Sequence, residues 1–255
     1  MSVRQLALPA CEVALPREAP ELASQVSYTS LWPRFLFAAP SMRFGSQLAT
    51  VWPYAQLLLA DADSGRLLGW MDTAPARWDG ADAGLPDGWD ALMERAVEDQ
   101  RAGREPDTLA MMSLSLLPVA RGRGLGGACV ELARTLAALL SLRAVLAPVR
   151  PTLKSAHPHM PMAEYVRRTR PDGLPEDPWL RTHVRAGGRV AGVAERSTVM
   201  EARLTDWERW GATLSPAGSW TVEGALTPLV PLPDGRSARY TEPNVWVVHT
   251  PSARR

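Results

Sequence analysis

An α/β fold is predicted. Residues 109–149 carry this reading, because they run as an apolar strand, a glycine-rich loop, an amphipathic stretch and a second short apolar strand. That is the order of a β-α-β unit, whose crossover is expected to be right-handed. Size agrees with it, since 255 residues of which 46% are hydrophobic suffice for one large domain or two small ones with a buried core.

Each element follows from local pattern. Residues 1–27 carry Pro9, Pro16 and Pro20 among scattered charges without a sustained period, and are expected to be an irregular arm. The runs AQLLLA from Ala55 and RLLGWMDTA from Arg66 flank Asp61-Ala62-Asp63-Ser64-Gly65, the form of a β-hairpin. Trp89 to Arg101 places Leu92, Met93, Ala96 and Val97 at helical spacing. Leu109 to Leu117 reads as a strand that Pro118 ends, and Val130, Ala133, Leu136, Ala137 and Leu140 mark a helix from about Gly126 to Leu142. Ala144 to Val149 is the next strand. A proline-rich loop follows, with a short helix from Met162 to Arg168 inside it. Asp177-Pro178 then opens a helix, with aspartate as cap and proline in its first turn, and Gly187-Gly188 closes it. From Arg189 the tail alternates, forms a short helix near Asp206 to Trp210, and ends in the strand Val245 to His249.

Composition excludes several classes of function. The 28 basic and 27 acidic residues nearly cancel, so neither a nucleic acid nor an anionic membrane is an expected partner. Lys154 is the single lysine, and the arginine excess reads as a composition bias. Cys11 and Cys129 lie far apart, and His157, His159, His183 and His249 show no zinc-ligand spacing with them, which argues against a disulfide scaffold or structural zinc. The most apolar stretch, Leu136 to Val149, is interrupted by Arg143 and too short to span a bilayer, and a cytoplasmic location is expected.

The loop Arg121 to Gly127 has the makings of an anion site, since unpaired N–H groups at a helix N-terminus face outwards. A P-loop would need lysine and then serine or threonine after its glycines, where Ala128 and Cys129 stand. Gly122, Gly124 and Gly127 match a dinucleotide pattern, but no Asp or Glu lies between Glu131 and Glu164 to hold a ribose. Pro118, Arg121, Gly124 and Gly126 form P-x-x-R-x-x-G-x-G between a strand and a helix. This resembles the coenzyme A loop of the GNAT acyltransferase superfamily, in which the pattern Q/R-x-x-G-x-G/A wraps the pyrophosphate. The bland reading is a glycine-rich start to a helix with no ligand.

The resemblance covers about Tyr28 to Val193 in element order and is sequence-specific from Leu109 to Ala128. It implies a GNAT-type mixed, twisted sheet flanked by helices, with an enlarged C-terminal part: residues 28–255 form one domain, with a coenzyme A core at about 109–193 and an extension at 194–255. It further implies that acetyl-coenzyme A or another acyl-coenzyme A is the co-substrate and that an amine of a small molecule or peptide is the acceptor. Leu116, Leu117, Val119, Arg121, Gly122, Arg123, Gly124, Leu125, Gly126 and Gly127 would contact the coenzyme. A homodimer is left open.

The family's following helix supplies a tyrosine that protonates the departing thiolate. Here Leu180 to Gly188 has His183 at that position, so His183, Tyr165 on the preceding loop, and water are the candidate acids. Packing roles are the alternative for both side chains. The family often takes its base from an acidic residue on a neighbouring strand. Leu109 to Leu117 holds only Ser113 and Ser115, and Glu242, read as lying in a turn before the last strand, is the candidate. Where the family has an asparagine after the second strand, Arg150, Thr152 or Lys154 stands in. DGLPEDPWLRTH and EPNVWVVH resemble an enlarged subgroup of the family with no assigned substrate. A coenzyme A binder that performs no transfer is the competing reading.

Overall fold

The computed structural model describes residues 8, 11–45, 47–214 and 219–253. In chain order the elements are β1 (Cys11–Ala14), α1 (Pro20–Ala23), α2 (Met42–Gly45), α3 (Leu48–Val51), β2 (Leu57–Asp61), β3 (Leu67–Ala76), α4 (Trp89–Arg101), β4 (Thr108–Leu116), α5 (Leu125–Leu139), β5 (Ala144–Val149), α6 (Met162–Tyr165), α7 (Pro178–Arg185), β6 (Arg189–Arg203), α8 (Leu204–Arg209), β7 (Thr213–Leu214), β8 (Trp220–Thr221), β9 (Val230–Pro231) and β10 (Ser237–His249). One eight-stranded sheet has the order β1-β2-β3-β4-β5-β10-β6, with β9 also beside β10, while β7 and β8 form a separate ribbon. The pair β4–β5, joined through α5, is parallel. The other pairings are antiparallel.

Alternation along the strands distributes the core over both faces. Leu109 and Met111 of β4 join Leu132 and Leu136 of α5 on one face. Ala110 and Met112 join Leu92 and Met93 of α4 on the other. All six residues of β5 are buried, as expected of a central strand covered on both sides. A third cluster ties Phe35 to Met200, Trp207, Leu229 and Tyr240 of the C-terminal part. The segment Tyr28–Ala38 therefore crosses the sheet. Its Tyr28 ring stands edge-on to Trp70 at 5.3 Å, and its Phe35 ring meets Tyr240 at 5.1 Å.

Three expectations need correction. The stretch 1–27 is not wholly irregular: β1 pairs with β2, Cys11 opposite Asp61, and α1 follows with proline in its first turn, while residues 1–7, 9 and 10 lie outside those described. A four-residue strand is too short to establish a period. The α5 helix stops at Leu139, before Leu142, because Ser141 takes a left-handed φ of 60°. Glu242 is not in a turn. Glu242-Pro243-Asn244 is an irregularity within β10, where the register with β6 shifts, and such a position tolerates the missing N–H donor of proline.

Candidate active site

The parallel ladder between β4 and β5 is short. It runs from Thr108 opposite Ala144 to Ala110 opposite Leu146, after which the two strands share no further pairs. β5 continues against β10, with Val149 opposite Val245, and β4 continues against β3 to Leu116. A gap therefore opens between the C-terminal halves of the two central strands. Met112 is an extra residue in β4, because Asp72 faces Ser113 while Thr73 faces Met111, and its carbonyl accepts a bond from Trp89 Nε1 at 2.8 Å.

At the same end of β4 the chain turns into α5. Gly122 and Gly124 have φ of 75° and 76°, and a Cβ on either would meet nothing within 4 Å, so they are required by backbone conformation and leave the loop open. Gly124 caps α5 with no side-chain bond. The first N–H groups of that helix, at Leu125, Gly126 and Gly127, have no partner within it and carry its positive end. Gly126 serves packing as well, since a Cβ there would lie 3.3 Å from Trp179 of α7. Arg121 points its Nε back at the Leu116 carbonyl at 3.4 Å, and Arg123 pairs with Asp61 at 3.2 Å. Val119 is 67% exposed beside the loop. Leu125 and Leu116 pack on the α5 face, whereas Leu117 packs on the opposite one with Leu58 and Trp70. An open loop of left-handed glycines before a helix N-terminus suits a diphosphate, and the cradle residues expected from sequence come together here, Leu117 excepted.

The expected acids lie elsewhere in the molecule. His183 is 1% exposed, with Nδ1 at 2.9 Å from His249 Nε2 and its ring against Trp179. Its partner His249 stands opposite Val145, near the start of β5, whereas the gap opens at that strand's end. Burial first, then His249, pushes the His183 pKa down to about 3, so the ring is neutral and enclosed. Tyr165 is buried and donates its hydroxyl proton to Asp177 Oδ2 at 2.9 Å. Asp177 is a junction, because Oδ1 caps Trp179 and Leu180 of α7 while Oδ2 also accepts from Leu153 N. Burial and the Asp177 carboxylate push the Tyr165 hydroxyl far up.

Glu242 is 4% exposed and forked onto Arg150 Nε at 3.0 and 3.1 Å, and it accepts from Tyr240 Oη at 2.7 Å. Arg150 donates onward to the Gly224 carbonyl. Lys154 is fully buried, its Nζ donating to the carbonyls of His157 and Leu226 at 2.8 and 2.6 Å. Arg150 and Lys154 thus tie the C-terminal part to the tip of β5 and are turned away from the cradle.

Sequence reasoning passed over a carboxylate on the strand next to β4. Asp72 of β3 is 8% exposed, accepting from Tyr28 Oη at 2.8 Å and from Ser113 Oγ at 2.5 Å. Burial raises its pKa above the ordinary value, with both hydroxyls opposing. One step along β4, Ser115 Oγ accepts from Trp32 Nε1 at 2.9 Å. Tyr28, Trp32, Asp72, Ser113 and Ser115 thus form a polar group beside the gap, on the face opposite α5. The available signal was Asp72 itself, a charge inside the strand RLLGWMDTA at a position facing a serine.

A glycine cradle at a helix N-terminus, over two parallel strands that part, defines the GNAT class. The solved loading GNATL domain of CurA from Lyngbya majuscula is similar over 94% of this chain and 97% of that one, with a TM-score of 0.59 at 15% identity. The GphF GNAT-like decarboxylase in complex with isobutyryl-CoA is similar over 95% and 99%, with a TM-score of 0.55 at 18% identity. No family model matches the chain. Among curated proteins, arginine N-acetyltransferase avaD of Aspergillus versicolor is 33% identical over 250 residues, spanning 87% of this chain and 86% of that protein. The chain belongs to the GNAT superfamily of N-acyltransferases.

Proposed function

We propose that this enzyme acetylates the amine of a small cationic molecule, with Asp72 as the base. The observation that carries the reading is the parting of β4 and β5 after Ala110 and Leu146, beneath the N-terminus of α5 and beside Asp72. The residues from Arg121 to Gly127 hold the diphosphate of the acyl-coenzyme A, and Leu114 and Leu116 flank its pantetheine arm. When bound, the thioester supplies the acyl carbon that the amine attacks.

Asp72 takes the proton from the incoming ammonium. Backbone N–H groups of β4 beyond the bulge at Met112 stabilise the oxyanion, and the second ammonium proton passes to the departing thiolate, directly or through water. Neither His183 nor Tyr165 is needed for this, since the first is enclosed and the second holds its proton on Asp177. Glu242 keeps Arg150 in place and takes no part in proton transfer. The reading as a binder without activity rests on a missing strand carboxylate and a missing tyrosine, and Asp72 supplies a carboxylate.

Arginine is the first acceptor to try, because the relative from Aspergillus versicolor is named for it. Residues 28–255 act as one domain in the cytoplasm, where acyl-coenzyme A is available, and among the described residues no helix is long and apolar enough to cross a membrane. Thiol release from acetyl-coenzyme A, measured with arginine and a panel of other amines, tests the reading. Amine-dependent release is expected. Binding of acetyl-coenzyme A without release for any amine would overturn it.

A further inference from the structure

A cavity of about 500 Å³ lies beyond the tip of β5, between the loop at 155–158 and the C-terminal residues 211–227. The residues with polar side chains that line it are Ser155, Thr213, Thr221, Glu223 and Thr227. Glu223 is exposed, and among the described residues no basic side chain lines this space. Two basic side chains that bond its walls are committed there. Arg150 is forked onto Glu242, and Lys154, with no exposed surface, is held by two carbonyls. Glu223 is therefore the single charged residue among the described residues that line the cavity.

The cavity walls are fixed in place. The turn 224–227 is pinned at every residue: Arg150 donates to the Gly224 carbonyl, Ala225 N to the Val222 carbonyl at 3.0 Å, Lys154 to the Leu226 carbonyl at 2.6 Å, Leu226 N to Tyr240 Oη at 2.9 Å, and Thr227 Oγ1 to the Thr241 carbonyl at 2.7 Å. Lys154 also holds the opposite wall through His157. A Cβ on Gly224 would come within 2.8 Å of Pro33, so this turn abuts the segment that carries Tyr28 to Asp72 and Trp32 to Ser115. The cavity and the proposed base thus sit along one crossing segment, at the end of the sheet where β4 and β5 part.

We infer that this cavity receives the distal end of the acceptor, and that Glu223 selects a guanidinium or ammonium group there. The inference rests on the acetyl-transfer reading for what happens at the amine, but the site itself is defined by charge and shape. A carboxylate tail is disfavoured by Glu223, and a neutral tail leaves that charge without a partner. A planar guanidinium can engage the carboxylate through two N–H groups and reach the threonine hydroxyls with others.

The test uses calorimetry on the full chain with saturating coenzyme A, comparing arginine with citrulline, which replaces the guanidinium by a neutral urea of the same shape. Arginine is expected to bind at least about tenfold more tightly, and Glu223→Gln should abolish that preference without changing coenzyme A affinity. Because Glu223 is exposed and makes no ion pair among the described residues, the variant should melt with the wild-type protein. Equal binding of both compounds, binding of neither, or an undiminished preference in Glu223→Gln would overturn the inference. The preference appearing and vanishing as expected, with no thiol release from acetyl-coenzyme A, would leave the site standing and overturn the acetyl-transfer reading instead. Release with arginine that Glu223→Gln leaves unaltered in KM would do the reverse.

Discussion

Ser113 of β4 stands directly opposite Asp72 of β3 in the sheet and bonds its carboxylate, while Tyr28 reaches the other oxygen from 44 residues earlier in the chain. Each oxygen thus has one donor, and both donors are hydroxyls that favour the ionised form. Burial acts against them and prevails, so the carboxylate is a stronger base than an exposed aspartate.

Asp72→Asn keeps the shape and removes the base. Turnover should fall by roughly 100- to 10,000-fold while acetyl-coenzyme A binds as before. In the wild-type enzyme kcat/KM should drop as pH falls through the raised Asp72 pKa, because protonation removes the acceptor for the ammonium proton. Steady-state kinetics across pH check both points, and the acidic limb should vanish in the variant.

Tyr28→Phe removes one of the two donors. The Asp72 pKa should move further up and the acidic limb of kcat/KM should shift to higher pH. A role confined to packing against Trp70 would leave that limb in place.

At the cradle the informative substitution is Gly124→Val. Its φ of 76° is strained for a branched residue, at roughly 1–2 kcal/mol, and coenzyme A affinity should fall with the loss of the loop conformation. Gly126→Val is a poorer probe, because Trp179 occupies the space its side chain would need and the α5–α7 contact would shift too. Calorimetric titration with coenzyme A, alongside melts, separates the two effects.

His183→Asn should leave turnover near wild type and change stability. Burial, then Arg134, pushes His249 down to about 4, and burial, then His249, pushes His183 down to about 3, from an ordinary 6.5. The unfolded chain therefore takes up protons near pH 6.5 while the folded chain does not. The pair's contribution is complete above that pH and is lost as pH falls toward 4, by up to about 1.4 kcal/mol per pH unit for each ring. Urea midpoints measured from pH 4 to 7.5 should show this slope, and it should be shallower in the variant.

Glu242→Ala leaves Arg150 charged and nearly enclosed, which should cost about 3–5 kcal/mol. Chemical denaturation measures the loss. Asp72 is intact in this variant, so the folded fraction should retain turnover.

Periodicity made the centre of the molecule legible. Trp89–Arg101 and Ala144–Val149 begin and end where the pattern placed them, and the Asp177 cap bonds Trp179 N and Leu180 N as its Asp-Pro signature implied. The glycine loop was legible because left-handed turns and an unpaired helix start are local properties. Legibility failed where the answer was non-local. Nothing in the order of residues says that Tyr28 covers Asp72, or that His183 turns inward to His249, 66 residues on. Glu242 was misread because the Pro-Asn step that follows it suits a turn as well as an interrupted strand. Lys154 and Arg150 resembled cofactor contacts because both charges lie on a loop, and only the packing of residues 222–227 over them shows otherwise.

β10, the last strand of the described chain, is inserted between β5 and β6. During synthesis from the N-terminus, β5 waits almost 90 residues for its neighbour, and β6 has no strand beside it until β10 emerges. Two ladders lie open in the nascent chain, one of them on a wholly buried strand, which is a hazard for association with other chains. The Arg150–Glu242 pair at the tip of β5 forms at the same moment, because Glu242 and Tyr240 arrive on β10. Both open ladders thus close in one late step, and a ribosome stalled before Ser237 would release a chain in which β5 and β6 still lack that partner.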